Sequence, residues 1–212
     1  MGHARRVQDM KATMNIAIIG AGSVGSTLGE KWANVGHTVT FGVRNPADPK
    51  HAGLAGFGMV RSIPDSIAGA DVVLMAMPGS AVGDFAAQCG AQLAGKTVID
   101  ATNNPRSLVM NNLDVLSTHA PQAHFVRAFS TLGWENFANP HLGGVQIDLF
   151  YCGHASSRPV VEQLIAQVGL RPVYLGGLDA VSAVDGMTRV WFALAFGQGR
   201  GRRIAFKLIE EP

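Results

Sequence analysis

The sequence is poor in charge and in cysteine. Only 15% of its 212 residues are charged, against about 25% in an average soluble domain. The net charge is +2, which argues against a nucleic-acid-binding surface. Cys89 and Cys152 lie far apart without a CxxC spacing, so neither a disulfide framework nor a zinc site is indicated. We therefore expect a protein of the reducing cytoplasm that binds no nucleic acid and no metal.

Long apolar runs and the motifs of hydrolases are also absent. The apolar run at residues 190–196 is far shorter than the roughly 20 residues that span a bilayer, so no membrane association is expected. There is no HExxH motif and no GxSxG motif. No lysine lies between Lys96 and Lys207, which is a poor match to hydroxyacid dehydrogenases that use a lysine as their acid–base group.

Glycine, in contrast, is abundant, with 26 residues and no collagen-like period, which indicates tight turns. Apolar segments of strand length alternate with helix-like segments, a pattern typical of βαβ units. The predicted strands cover residues 15–19, 38–43, 59–61, 71–77, 97–100, 125–129, 147–152 and 172–175, and the predicted helices cover 23–35, 80–88, 158–168 and 181–196. The sequence thus predicts an α/β fold with a doubly wound, mostly parallel sheet.

The simplest division of the chain has three parts. Residues 1–13 form an N-terminal tail, residues 14–145 form the nucleotide-binding domain, and residues 146–212 form a small C-terminal α/β extension packed onto it. The run at residues 190–196 is apolar on every face of its predicted helix, which is more than one domain surface covers. We therefore expect a homodimer that uses this helix.

A GxGxxG motif at residues 20–25 carries the strongest functional signal. It follows an apolar strand and opens an amphipathic helix, as in dinucleotide-binding proteins. Gly20 would make the tight turn, Gly22 would admit a pyrophosphate, and Gly25 would let helix and strand pack closely. The first helical residues, Ser23 and Val24, then face the phosphates with free backbone N–H groups. The alternative is an ordinary glycine-rich turn between strand and helix.

The end of the second predicted strand indicates which dinucleotide binds. No acid occurs between Glu30 and Asp48 to bind the ribose 2′-hydroxyl of NAD. Arg44 and Asn45 occupy that region instead, and a guanidinium there pairs with the 2′-phosphate of NADP(H). The alternative is a solvated arginine at a strand end. We predict an NADP(H) site.

Three later loops complete the predicted site, because ligands of open α/β sheets bind at the carboxyl ends of the strands. Any one of these loops is equally well read as an ordinary connection. The hydroxyls of the third loop are expected to position the reacting rings and not to transfer protons. The candidate residues are Met77 and Pro78 in the first loop, Ala101 and Asn103 in the second, and Ser130, Thr131 and Leu132 in the third.

Four segments resemble the coenzyme F420-dependent NADP oxidoreductase family. They are IAIIGAG at residues 16–22, FGVRNP at 41–46, VIDATNNP at 98–105 and AFSTLGW at 128–134. The resemblance implies a Rossmann domain that binds NADP(H), and a small C-terminal part that covers the deazaflavin pocket. It also implies a homodimer and hydride exchange between the two cofactors without a metal.

Two positions depart from the family pattern. Val43 stands where a hydroxyl residue commonly precedes the arginine, and Ser130 stands where the deazaflavin reductases proper have a histidine. The sequence also resembles the cytosolic domain of eukaryotic metalloreductases, which has the same fold with a flavin as its second ring system. Three functions stay open: an NADP(H) reductase that uses coenzyme F420, one that uses a flavin or another redox acceptor, and a non-catalytic NADP(H)-sensing module. The first is favoured.

Overall fold

A computed structural model of the protein describes residues 13–211. The predicted tail, residues 1–13, therefore lies almost wholly outside the described residues. The strands are β1 (Asn15–Ile19), β2 (Thr38–Val43), β3 (Met59–Ser62), β4 (Val72–Met75), β5 (Thr97–Asp100), β6 (His124–Arg127), β7 (His141–Leu142), β8 (Val145–Gln146), β9 (Asp148–Gly153) and β10 (Arg171–Tyr174). The α-helices are α1 (Ser23–Asn34), α2 (Ile63–Ile67), α3 (Val82–Cys89), α4 (Leu113–His119), α5 (Trp134–Ala138), α6 (Arg158–Val168) and α7 (Val181–Phe192).

Eight strands form one sheet in the order β10-β9-β6-β5-β4-β1-β2-β3. The six strands from β6 to β3 in that order run parallel. Strand β9 pairs antiparallel with β6 and parallel with β10, so these two strands run the opposite way. Strands β7 and β8 form a separate two-stranded hairpin. The predicted α/β class with a mostly parallel sheet is confirmed.

The sheet is buried on both faces, which explains its continuous apolar strands. In β1, Ile16 and Ile18 belong to a core cluster that includes residues of α1, α5 and α6. Ala17 and Ile19 belong to a second cluster with residues of α2, α3 and α4. Successive side chains of a strand point to opposite faces, so the helices cover both sides of the sheet, as in a doubly wound fold.

The observed helices differ from the predicted ones in the end of the last helix and in three additional short helices. The helix predicted over residues 181–196 is α-helical only to Phe192 and continues as a π-helix over Ala193–Gly197. Helices α2, α4 and α5 were not predicted, since their five to seven residues are too few to show a helical period. Among the described residues, no helix is long and apolar enough to cross a membrane.

The segment after β8 extends the sheet and also packs against its first helix. The indole N–H of Trp32 on α1 donates to the Leu164 carbonyl of α6 at 3.0 Å. The His37 Nε2 lies 2.8 Å from Oε1 of Gln167 in the last turn of α6. Residues 146–211 therefore share a core with the first part of the chain, and the division at residue 145 stays a prediction.

A buried carboxylate anchors the irregular segment that follows the π-helix. The side chain of Asp148 is fully buried and accepts hydrogen bonds from Arg171, from Lys207 and from the backbone N–H of Leu208. Burial alone would raise the pKa of this carboxyl, but these hydrogen bonds outweigh burial and hold the pKa below its ordinary value. Asp148 therefore joins β9, β10 and the C-terminal segment in its ionised form.

We expect Asp148→Asn to lower the free energy of unfolding at pH 7 by about 2 kcal/mol. This is less than the about 3–5 kcal/mol of a fully buried pair, because Arg171 and Lys207 are 36% and 33% exposed. A lowered pKa stabilises the fold above the ordinary carboxyl value near ~4, and the effect is lost as the pH falls through the folded-state pKa. In urea unfolding, the difference in the free energy of unfolding between wild type and variant should become smaller from pH 7 to pH 3.

Asp84→Asn on the exposed side of α3 is the control for this substitution and should lower stability by less than about 1 kcal/mol, the contribution of an exposed acid in a first helical turn. A gap for Asp148→Asn that is the same size at pH 3 would contradict an electrostatic role for the carboxylate.

Candidate functional site

The glycine turn between β1 and α1 requires two of its glycines for steric reasons. Gly20 has φ of +107°, and a Cβ there would lie 2.5 Å from the Ala76 carbonyl oxygen. A Cβ on Gly25 would lie 2.1 Å from the Gly20 carbonyl oxygen. Real Cβ atoms do not approach so closely, so Gly20 and Gly25 set the shape of the turn and the contact between helix and strand.

The middle glycine of the motif leaves space instead of filling it. Gly22 is exposed and extended, and an added Cβ would meet nothing within 4 Å. It precedes the 12-residue helix α1 without a side-chain cap, and the first turn of α1 carries no acidic residue. The N–H groups at Ser23 and Val24 and the positive end of the helix dipole thus face an open surface, which fits a phosphate group.

Arg44 follows β2 beside this turn, because the Gly20 N–H donates to the Gly42 carbonyl at 3.1 Å. The Arg44 side chain is exposed, and no other residue in the range 13–211 bonds to its guanidinium. Asn45 differs, since its Oδ1 accepts from the Ala47 N–H at 3.3 Å and stabilises the turn. Of the two predicted residues, Arg44 is the one whose side chain is free for an anion.

A cavity of about 490 Å³ lies farther along this connection, against the edge strand β3. Asp48, His51 and Arg61 contribute its polar lining. None of the predicted site residues lines it, so this cavity is separate from the glycine turn.

The three later loops meet at the carboxyl edge of the sheet. Strands β4, β5 and β6 lie side by side next to β1, while β2 lies on the other side of β1, which makes the end of β1 a topological switch point. A Cβ on Gly79 in the first loop would lie 2.8 Å from the Asn103 carbonyl oxygen in the second. The Asn103 Nδ2 donates to the Ser130 carbonyl in the third at 3.1 Å. The structure therefore brings the loops together.

The predicted residues of these loops differ in exposure. Pro78 is exposed, Met77 and Ala101 are half-buried, and Leu132 is buried. Both ends of the Asn103 carboxamide are bonded within the protein, since Arg127 donates to its Oδ1 at 2.7 Å. The apolar residues thus offer surface at this edge, whereas the Asn103 side chain is occupied.

Sequence reasoning missed a buried ion-pair network beneath the loops. Arg127 at the end of β6 is fully buried, and its Nε lies 2.9 Å from an Asp185 carboxylate oxygen on α7. Its Nη1 lies 3.1 Å from an Asp100 carboxylate oxygen at the end of β5 and also donates to the Thr102 carbonyl. An arginine and an aspartate at the ends of two apolar strands were the available signal for this network.

The third loop begins with a strained residue. Phe129 has φ of +59°, the one positive φ among the non-glycine residues in the range 13–211. Its ring packs edge-on against Trp32 and Phe137, with centroid distances of 5.8 and 5.5 Å. Such backbone strain persists only where the surroundings enforce it, and it is typical of functional sites.

The two residues after Phe129 carry buried hydroxyls without partners. Ser130 and Thr131 are 2% and 1% exposed, and neither Ser130 Oγ nor Thr131 Oγ1 finds a hydrogen-bond partner among the described residues. An unpaired buried hydroxyl costs free energy in the absence of a ligand. The two hydroxyls therefore fit a site that a polar ligand completes.

The C-terminal segment lies against the same loop. A Cβ on Gly133 would approach the Trp191 ring within 3.1 Å and the Arg202 carbonyl within 3.3 Å. Arg202 pairs with Glu135 at 2.6 Å, next to the loop. Across residues 13–211, no group of three or more His, Cys, Asp or Glu side chains is arranged to hold a metal ion.

Residues 15–104 match the model of the family described as NADP oxidoreductase, coenzyme F420-dependent. This match contains the glycine turn, Arg44 and the first two loops. It confirms the resemblance and, at the level of the family, the expected class of NADP-dependent oxidoreductase.

Solved structures and one curated relative agree with this match. A structure from Arthrobacter sp. FB24, provisionally described as an F420-dependent NADP reductase, is 25% identical with a TM-score of 0.77 and covers 93% of this chain and 100% of its own. An imine reductase from Aspergillus terreus in complex with NADPH4 is 24% identical with a TM-score of 0.67. The alignment covers 89% of this chain and 64% of the imine reductase, and it supports the fold alone. Metalloreductase STEAP3 of Rattus norvegicus is 24% identical over 82% of this chain, which spans 36% of that relative.

The glycine turn yields a paired prediction. Gly22→Ala should leave stability within about 0.5 kcal/mol of wild type, because its extended backbone accepts alanine and its Cβ meets open space. It should weaken NADPH binding at least about tenfold by filling the place where the pyrophosphate approaches. Gly25→Ala should destabilise by about 1–3 kcal/mol through overpacking. Thermal unfolding and a fluorescence titration with NADPH measure both effects.

A Gly22→Ala variant that binds NADPH like wild type would show that the phosphates do not lie on this turn. Gly69→Ala is the matched control and should leave NADPH binding unchanged. It adds the same methyl where a Cβ also meets nothing within 4 Å, just before the amino end of β4 and away from the turn.

Proposed function

We propose that this protein transfers a hydride between NADP(H) and a second redox-active ring cofactor, with coenzyme F420 as the favoured partner. The observation that carries the proposal is the pairing, at the carboxyl edge of the sheet, of an open glycine turn with two buried hydroxyls that have no partner in the described part of the chain. The turn suits a dinucleotide, and the hydroxyls suit a second polar group at the far end of the same crevice.

The chain's residues would divide the work of binding. The turn at residues 20–25 would hold the pyrophosphate, and Arg44 would pair with the 2′-phosphate. Met77, Pro78, Ala101 and Leu132 would give the nicotinamide an apolar surface. NADPH supplies the hydride when bound, and Ser130 and Thr131 would orient the reacting rings. Holding two such carbons about 3–3.5 Å apart with water excluded is the protein's main task in this chemistry.

A flavin or another redox acceptor is the second candidate for the hydride acceptor. The likeness to a metalloreductase over 82% of the chain favours it, as does the serine at position 130. The third candidate is an NADP(H)-sensing module, which would bind NADPH without oxidising it. All three candidates share the NADP(H) site and differ in what occupies the hydroxyl end of the crevice.

The function is tested by following NADPH oxidation at 340 nm with coenzyme F420, FMN, FAD and no acceptor. We expect turnover with F420 that exceeds the rate without acceptor. Faster turnover with FMN or FAD would overturn the F420 assignment and support the flavin-dependent reading. Tight NADPH binding without oxidation in any arm would support the sensor.

We also propose that the chain forms a homodimer through the end of α7. Val190 on α7 and Phe196 on the π-helix that continues it are 49% and 54% exposed. The loop that carries Leu108, which is 97% exposed, is tied to α7 by Arg189 through the Ser107 and Leu108 carbonyls. Such an exposed apolar patch marks an interaction surface. A monomer in light scattering at micromolar concentration would contradict this interface. The cytoplasmic location stays a prediction.

Arg44→Ala tests the choice of cofactor. A charge-assisted hydrogen bond contributes about 1.5–3 kcal/mol, so Arg44 should favour NADPH over NADH roughly ten- to a hundredfold. Val43 offers no hydroxyl beside it, which places the preference toward the lower end. The variant should lose most of this preference and keep its NADH affinity, as measured by titration with each nucleotide.

Arg158→Ala is the matched control, because it removes a half-exposed arginine at the start of α6. The preceding residue, Ser157, contacts Thr97 at the amino end of β5, which is the end of the sheet opposite to the glycine turn. Equal wild-type affinities for NADPH and NADH would contradict the role of Arg44.

A further inference from the structure

We propose that Asn103 is a positioning residue that transmits the buried Arg127 network to the loop carrying Ser130 and Thr131. The kinetic part of this inference rests on the proposed function. Its structural part rests on the two hydrogen bonds of the Asn103 side chain. Asn103 would then act on the site through the Ser130 backbone, and its side chain would not contact the cofactor.

The orientation of the Asn103 carboxamide follows from its partners. A guanidinium has only donors, so the Asn103 oxygen must face Arg127, whose Nη2 lies 2.7 Å away. The carboxamide nitrogen is thereby turned toward the Ser130 carbonyl and donates to it at 3.1 Å. One side chain thus joins the loop after β5 to the loop after β6 in a single defined orientation.

The Arg127 side chain itself is bonded on several sides. It is fully buried and is held by Asp100 and Asp185 as well as by the Thr102 carbonyl. Asn103 therefore bonds at one end to a fixed group and at the other to the loop. The loop starts with the strained Phe129, and its two hydroxyls are otherwise unbonded among the described residues.

This placement gives Asn103 a specific task. A strained loop relaxes when its restraints are removed, and neither hydroxyl contributes a bond that would hold the loop. Among residues 13–211, the Asn103 to Ser130 bond is the side-chain hydrogen bond that ties the Ser130 backbone to the rest of the site. Without it, the hydroxyls would lose the fixed positions that hydride transfer between two rings requires.

Asn111 offers a matched control within the same network. Its Nδ2 donates to Asp185 at 2.7 Å and its Oδ1 accepts from the Leu113 N–H at 2.9 Å. Asn111→Ala therefore removes a carboxamide from the same buried ion pairs but breaks no bond to the Ser130 loop. Both alanine variants should lose similar stability in thermal unfolding.

The first measurement uses the ligand-free protein. Hydrogen exchange of the backbone amides at residues 129–133 should be about two- to tenfold faster in Asn103→Ala than in wild type, the range expected for one neutral hydrogen bond. Asn111→Ala should leave these amides unchanged. Unchanged exchange in Asn103→Ala, or equal acceleration in both variants, would overturn the inference whatever the protein catalyses.

The second measurement separates binding from transfer. We expect Asn103→Ala to change NADPH affinity less than about twofold and to slow single-turnover hydride transfer by about two- to tenfold. Adding Asn103→Ala to Ser130→Ala should cost less than adding it to wild type, because the hydroxyl that it positions is already gone. Additive effects, or a loss of NADPH affinity with normal transfer, would indicate a direct cofactor contact and overturn the inference.

Asn103→Asp separates the two ends of the side chain. It keeps an acceptor toward Arg127 but has no donor for the Ser130 carbonyl, so its exchange and transfer should resemble those of Asn103→Ala. An Asn103→Asp variant with wild-type exchange at residues 129–133 would show that only the Arg127 end matters. If no acceptor oxidises NADPH in wild type, the proposed function fails, whereas the exchange measurements still decide the role of Asn103.

Discussion

The burial of one guanidinium constrains the carboxyl edge of this sheet. Arg127 carries a full charge into a place with no exposed surface, where an unpaired ion would cost several kcal/mol. Asp100 compensates from the neighbouring strand and Asp185 from α7, which follows 58 residues later. The last long helix therefore has to pack over the ends of β5 and β6, and the loops beneath it acquire fixed positions.

At the opposite end of the crevice, backbone packing takes the place of a buried ion pair. The glycine turn achieves its shape by close approach of backbone atoms, and it leaves its N–H groups and the space beside Gly22 open. No ion pair holds Arg44 back from an anion within the described chain. An open electropositive turn suits a phosphate, which brings its own charge, whereas a closed and internally bonded loop suits rings that must be aligned.

The sequence predicted those features that depend on local pattern. The bounds of β1, β2, β5 and α6 follow from apolar runs and punctuation by glycine, and the turn at residues 20–25 follows from a motif with a steric reason. The Arg127–Asp185 pair could not be predicted in the same way, because it depends on which face of α7 meets the sheet. The positive φ at Phe129 has no local signature either, since its ring packs against Trp32 from a distant part of the chain.

The two ends of the crevice also differ in their relation to the family match. The glycine turn lies within the segment that matches the family model, while Ser130 lies outside it. The Ser130 side chain makes no hydrogen bond within residues 13–211, so the ion-pair network does not depend on its identity. A substitution of the Ser130 side chain would therefore leave the bonds from Arg127 to Asn103 and from Asn103 to the Ser130 carbonyl in place. Under the proposed function, the side chain at position 130 would act on the choice of acceptor, and the buried network below it would act on the geometry of transfer.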